Sequence, residues 1–506
     1  MKESPELRRL VNGVLLPGFT GTRAPAWLED ELGAGLAGVV YFAPNVVDAQ
    51  QVAQLSAALH RVRPGVVIAV DEEGGDVTRL EARDGSSYPG NAALGRLDDI
   101  AATAAVAQAI GWDLRRAGID LDLAPVVDVN SSPDNPVIGV RSFGADVQLT
   151  ARHSRAFVTG LQDTGVAACA KHFPGHGDTV VDSHLDLPVI GVDLATLRRR
   201  DLPPFAAAID AGVRCVLTAH IRFPALDDRP ATLSPVVLGL LRAELGFDGV
   251  VITDAVDMAA IARGVGTGPG AALALAAGAD LVCIGNPADD RAELAAVRSA
   301  VLDALVAGHL AVSRLEEAHT RIAALSTWIA AAAAAAAAAG SRPPAANPVS
   351  GHEGVGLDLA RRVLVTTGSV RLPGPPQVID LRTHANQAAG RHAPRVGDAL
   401  ARLAPGTTSS VLPPGGADGA RAAAGLAAAA AGRPLVVVVD NPHRDREQAA
   451  LLRALVSARP DAVVVATGLP APGLHLGENV VQTFGAGGVN ARAAAEVILG
   501  AQASPP

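Results

Sequence analysis

Short apolar runs recur through the first 330 residues, each followed by a polar cluster and then by a longer stretch whose apolar positions repeat with helical spacing. The runs are Gly13–Leu16, Gly38–Phe42, Val66–Val70, Leu121–Ala124, Ala167–Ala170, Cys215–Thr218, Val250–Thr253 and Asp280–Ile284. Such alternation is that of consecutive βα units, and eight units close a parallel sheet on itself. The pattern therefore predicts an α/β fold opening with a (β/α)8 barrel of the TIM type. Helices are expected over Asp48–Arg63, Asp99–Ala117, Asp146–Gln162 and Asp193–Ala211.

The pattern changes at Ala330–Ala339, an unbroken alanine run that passes into Gly340-Ser341-Arg342-Pro343-Pro344. Proline and glycine there mark a helix end and a linker. Residues 1–330 are accordingly expected to form the barrel, 331–350 an Ala/Pro-rich linker and 351–506 a smaller α/β layered domain. In the last segment Val378–Leu381, Pro434–Asp440, Ala462–Thr467 and Asn479–Thr483 read as strands between Ala-rich helices.

Composition narrows the function. Hydrophobic residues make up 49% of the 506 and charged residues 18%, so global disorder is excluded. Net charge is −9 and no Lys/Arg-dense block occurs, so a nucleic-acid footprint is not supported and the substrate need not be charged. Cys169, Cys215 and Cys283 are too scattered for a disulfide scaffold and read as buried thiols. The N-terminal residues lack the pattern of a secretory leader and no run of about 18 residues reads as suited to a membrane, so a cytoplasmic protein is expected. Lysine occurs only at Lys2 and Lys171, against forty arginines. Where general positive charge suffices this chain uses arginine, so Lys171 marks a place that needs a compact ammonium.

In a barrel of this type chemistry gathers at the C-terminal ends of the strands. Asp71–Arg79 follows the third run, Lys171–Asp178 the fifth, His220 the sixth and Asp254 the seventh. The segment from Pro174 to Val192 is long for a βα connection and contains Asp182-Ser183-His184. On an extended backbone the first and third of these share a face, so Asp182 can orient the His184 imidazole and raise its pKa, making a proton-transfer dyad; a turn capped by Asp182 is the plainer reading. His172 and His176 have metal-like spacing, but Pro174-Gly175 between them opposes the helix that would present both rings on one face, and no metal or cofactor is expected. Gly264–Gly270 and Gly485–Gly488 lack the order of a dinucleotide site and read as loops and helix caps.

Lys171-His172-Phe173-Pro174-Gly175-His176-Gly177-Asp178-Thr179 followed by Asp182-Ser183-His184, together with Arg141-Ser142-Phe143-Gly144 and Asp71–Arg79, resembles the signature of the β-N-acetylglucosaminidase (β-N-acetylhexosaminidase) branch of family 3 glycoside hydrolases, in its two-domain form. The resemblance covers roughly residues 10–330 and, more loosely, the second domain. It implies a retaining glycosidase in which Asp254 is the nucleophile and His184, tuned by Asp182, the acid/base. It further implies that Asp71, Arg79, Arg141, Lys171 and His172 bind the sugar and that Met258 stands near the pocket. Glu72 and Thr253 depart from the Gln and Ser common at these places. Expected on this basis is removal of terminal β-linked N-acetylglucosamine, with cell-wall fragments as the substrate class. The competing expectations are a phosphorylase that uses phosphate in place of water and a catalytically silent sugar-binding barrel.

Overall fold

The computed structural model describes residues 4–181, 186–285, 289–338, 353–382, 395–412, 425, 432–470 and 473–500. Asp182 and His184 lie outside the described residues, as do residues 339–350 of the linker expected over 331–350, whose residues 331–338 belong to helix Val312–Ala338. By packing the chain forms two compact units, the first made of residues 1–73, 100–138 and 144–349, the second of 74–99, 139–143 and 350–506.

In the first unit every one of the eight apolar runs supplies a strand: β1 (Leu15–Pro17), β2 (Gly38–Tyr41), β3 (Val67–Val70), β4 (Leu121–Asp122), β5 (Ala167–Phe173), β6 (Cys215–Thr218), β7 (Val250–Thr253) and β8 (Val282–Ile284). Strands β2 to β7 form one parallel sheet in chain order, and β1 pairs with β8. A parallel bridge from Ile252 to Leu281 joins the two groups beside β7. The result is a curled parallel sheet carrying helices outside, with strands buried along their whole length as parallel sheets require. Asp48, Asp146 and Asp193 cap the following helices through Gln51 N at 2.8 Å, Leu149 N at 2.7 Å and Thr196 N at 2.7 Å.

Two expectations change. The helix foreseen over Asp193–Ala211 is two helices, Leu194–Arg200 and Leu202–Asp210, because Pro203-Pro204 supply no amide hydrogens to continue the first and suit the first turn of the second. Helix Val312–Ala338 is long and apolar enough to cross a membrane by length and composition, contrary to the expectation that no run would suit one. Leu315, Ala318, Ile322 and Leu325 on this helix are nevertheless buried, and its Arg314 and Arg321 pair with Asp280, which also holds Arg242.

The second unit is built on a six-stranded sheet. Its strands are β9 (Val365–Thr367), β10 (Gln377–Asp380), β11 (Thr408–Val411), β12 (Leu435–Val439), β13 (Val463–Ala466) and β14 (Asn479–Gln482), in the spatial order β9-β14-β13-β12-β10-β11. Only β9 runs antiparallel to its neighbour. Alternate residues feed two cores, Val437 and Val439 with Leu451 and Leu455 on one face, Val436 and Val438 with Ala494 and Ile498 on the other. Ala92 and Ala93, from the segment after β3, join Val363 and Phe484 in a further cluster of this unit. The Asp76 carboxylate accepts the Ala486 N–H at 2.6 Å, and a Cβ on Gly487 would stand 3.0 Å from the Gly75 carbonyl. Asn91 donates to the Arg141 carbonyl at 2.8 Å. Arg79 and Arg141 thus belong to the second unit by packing.

Candidate active site

Strand β5 runs on to Phe173, so Lys171 and His172 are strand residues at its C-terminal end. Lys171 is 2% exposed and its Nζ lies 2.6 Å from both Asp71 Oδ1 and Glu73 Oε1, at the end of β3. An ammonium can donate to several acceptors in divergent directions, which a planar guanidinium cannot match in so small a space. Beside them Asp122 on β4 is fully buried and accepts the Glu72 N–H at 3.0 Å. Burial pushes its carboxyl well above the usual range, and the negative charge of Glu72 adds to the effect.

His172 is held by Asp128, a fully buried carboxylate in the segment after β4. His172 Nδ1–H donates to Asp128 Oδ2 at 2.8 Å, while Asp128 Oδ1 accepts the backbone N–H of His172 at 3.2 Å and of His176 at 2.7 Å. This fixes the ring's tautomer and direction. The rings of His172 and His176 meet edge to face with centroids 5.6 Å apart. Further along the same connection Asp178 pairs with Arg200 at 2.9 Å, and Arg200 with Asp201 at 3.0 Å. Burial pushes the Asp201 carboxyl up to about 6, an effect that Arg200 offsets only in part.

Asp254 follows β7 at the same end of the sheet. Its N–H donates to the Thr218 carbonyl at 3.3 Å and its Oδ1 accepts the Ala255 N–H at 2.8 Å. Val256 N donates to the Cys283 carbonyl and Met258 N to the Ala255 carbonyl, each at 3.0 Å, so residues 254–258 form a tight turn tied to β6 and β8. Asp254, Asp257, Asp71 and Lys171 all act electrostatically on the Cys283 thiol, which burial has already pushed well above its ordinary pKa. Cys283, on β8, thus lies within electrostatic reach of the ends of β3, β5 and β7.

Of the residues named from sequence, Asp71, Lys171, His172, Asp254 and Met258 lie in the first unit, Arg79 and Arg141 in the second, and Asp182 and His184 are not described. Sequence reading did not single out Glu73, Asp122 or Asp128 for roles of their own. Asp128 carries the same signal as the others, a carboxylate just past an apolar run, in Ala124-Pro125-Val126-Val127-Asp128. Among the described residues no group of three or more His, Cys, Asp or Glu is arranged to hold a metal ion.

A parallel barrel-like sheet thus carries a lysine–carboxylate cluster, an oriented imidazole and a tethered aspartate at the ends of its third, fifth and seventh strands, where barrel enzymes hold their chemistry. Residues 22–325 match the glycosyl hydrolase family 3 N terminal domain, and the chain belongs to that family. It is 37% identical to β-hexosaminidase A of Pseudoalteromonas piscicida over 319 residues, which is 58% of this chain and 53% of that protein. It is 39% identical to the β-hexosaminidase of Stenotrophomonas maltophilia strain K279a over 287 residues, 54% of this chain and 84% of the relative. The chain thus spans about half the length of the first and most of the second. The solved structure of a glycoside hydrolase family 3 β-N-acetylglucosaminidase from Paenibacillus sp. str. FPU-7 is 32% identical and matches with a TM-score of 0.84 over 98% of this chain and 97% of that one. The likeness extends through the second domain.

Proposed function

We propose that the chain is a retaining β-N-acetylglucosaminidase that removes terminal, non-reducing β-linked N-acetylglucosamine through a covalent intermediate on Asp254. The observation that carries this reading is the tethered Asp254 sharing one end of the sheet with the Lys171–Asp71 pair and with His172, in a chain similar throughout to a family 3 β-N-acetylglucosaminidase. In the first step an Asp254 oxygen forms a bond to the anomeric carbon while the bond to the leaving oxygen breaks and His184, oriented by Asp182, gives that oxygen a proton. In the second, His184 takes a proton from water as the water oxygen displaces Asp254, so configuration is retained. Asp71, Lys171, His172, Arg79 and Arg141 bind hydroxyls and the acetamido group, with Met258 beside the ring. Cell-wall fragments, met in the cytoplasm, are the substrate class this reading favours.

Phosphate is the alternative acceptor, since an imidazole acid/base lacks the charge with which a carboxylate repels it. Lys171 weighs the other way: its single charge is already engaged by both Asp71 and Glu73. Water is therefore the favoured acceptor. The test compares aryl β-N-acetylglucosaminide with aryl β-glucoside, then follows products as phosphate is raised. Preferred turnover of the first substrate to free N-acetylglucosamine is expected. Preference for the glucoside rejects the sugar assignment, and a sugar 1-phosphate fraction that rises with phosphate rejects hydrolysis as the sole outcome.

A further inference from the structure

His220, at the end of β6, is 1% exposed, and both of its ring nitrogens are engaged. Nε2 stands 2.9 Å from the Ala255 carbonyl, which can only accept, so Nε2 carries a hydrogen and donates it there. Nδ1 stands 2.9 Å from Thr232 Oγ1, whose hydroxyl also lies 2.9 Å from the Ala219 carbonyl, to which it donates. Thr232 Oγ1 is in turn 2.8 Å from Thr218 Oγ1. A buried relay of Thr218, Thr232 and His220 thereby ends on the carbonyl of the residue after Asp254.

The Ala255 carbonyl already closes the turn by accepting Met258 N at 3.0 Å, and the Ala255 N–H is the group that holds Asp254 Oδ1 at 2.8 Å. The Ala255 N–H and carbonyl lie in the two peptide planes that meet at the Ala255 Cα, so gripping the carbonyl narrows the orientations open to residue 255 and steadies the N–H that the carboxylate accepts. The geometry points to His220 as a positioning residue for the nucleophile: it orients Asp254 for attack through the Ala255 backbone and takes no part in proton transfer. This rests on the assignment of Asp254 above and adds to it the device that sets its angle.

The test pairs two substitutions of similar size. Glutamine places an amide N–H where Nε2 was and keeps the bond to Ala255; asparagine reaches only the level of Nδ1 and loses it. A slow fluorinated N-acetylglucosaminyl substrate labels the nucleophile in each protein, and aryl substrates spanning good and poor leaving groups are turned over. His220→Asn should label Asp254 roughly 10- to 100-fold more slowly, the scale on which misplacing a reacting group by up to about 1 Å acts. Its loss in kcat should be the same factor for good and poor leaving groups, because attack is impaired and protonation is not. His220→Gln should recover most of the rate.

Equal labelling rates in wild type and His220→Asn overturn the positioning role. So does equal impairment of the Gln and Asn variants with matched falls in melting temperature, which denotes packing alone. A loss confined to poor leaving groups also overturns it, by making His220 an acid. Should His220→Asn not fold, Thr232→Val replaces it; that variant keeps the volume, frees the ring, and must slow labelling for the proposal to stand. Label on a residue other than Asp254 in the wild type overturns the nucleophile assignment itself, an outcome distinct from all of these.

Discussion

The positive charge of Lys171 is divided between two carboxylates at 2.6 Å, and that division decides what can replace it. Arginine keeps the charge but needs a flat space and directs its hydrogens in one plane. Lys171→Arg should therefore lower kcat/KM on an aryl N-acetylglucosaminide at least about 100-fold, roughly 2.7 kcal/mol of transition-state stabilisation; near-wild-type turnover would show that charge alone suffices. Asp201 makes a statement about stability. Its pKa is raised by burial from an ordinary 3.8 to about 6 in the folded protein, so its favourable contribution is complete below about pH 4 and is lost as pH rises through 6. The unfolding free energy of Asp201→Asn relative to wild type should improve by up to about 3 kcal/mol between pH 4 and pH 7. A difference independent of pH would contradict this. Lys171 was legible because lysine is so rare here, and Asp254 because it follows an apolar run. Asp128 and His220 act through other residues, and no spacing in the sequence records which carbonyl or ring a buried group will hold.

At the level of elements, Asp280 shows how one carboxylate ties a helix to the sheet. It is fully buried just before β8, accepts Val251 N at 2.9 Å, and pairs with Arg242, Arg314 and Arg321, the last two from helix Val312–Ala338. Removing it leaves Arg242 with backbone carbonyls as its acceptors, while Arg314 and Arg321 keep a shared carboxylate, Glu317, so Asp280→Ala should cost about 3–5 kcal/mol in denaturant unfolding. A change under 1 kcal/mol would mean the arginines find water. The inner strands were legible because a parallel strand buried on both faces reads as an unbroken apolar run, as Val66–Val70 and Val250–Thr253 do. Strands β9 and β11 were not. They lie at the two edges of the second sheet, and Val365-Thr366-Thr367 is exposed throughout while Thr408-Ser409-Ser410-Val411 is nearly so. A single exposed valine in each is all that is apolar there, too little to mark a strand.

On the scale of the whole molecule, the proposed dyad of Asp182 and His184 comes from the barrel sequence, so on that reading the second domain need supply no proton-transfer group. Replacing Asp440, His443 and Arg444 together by alanine should change kcat less than threefold, and a loss as deep as that of His184→Ala would show that the domain completes the chemistry. Packing nevertheless gives the second unit the segment 74–99, whose Ala92 and Ala93 lie with Val363 and Phe484 and whose Asp76 is held by Ala486. This arrangement sets an order of events during biosynthesis. The segment leaves the ribosome early, while Val363, Phe484 and Ala486 follow several hundred residues later. At roughly 5–20 residues per second the wait is tens of seconds. Residues synthesised among the first hundred are thus among the last to find their places, and a nascent chain stopped at the alanine run holds Arg79 on a stretch whose packing surface has not yet been made.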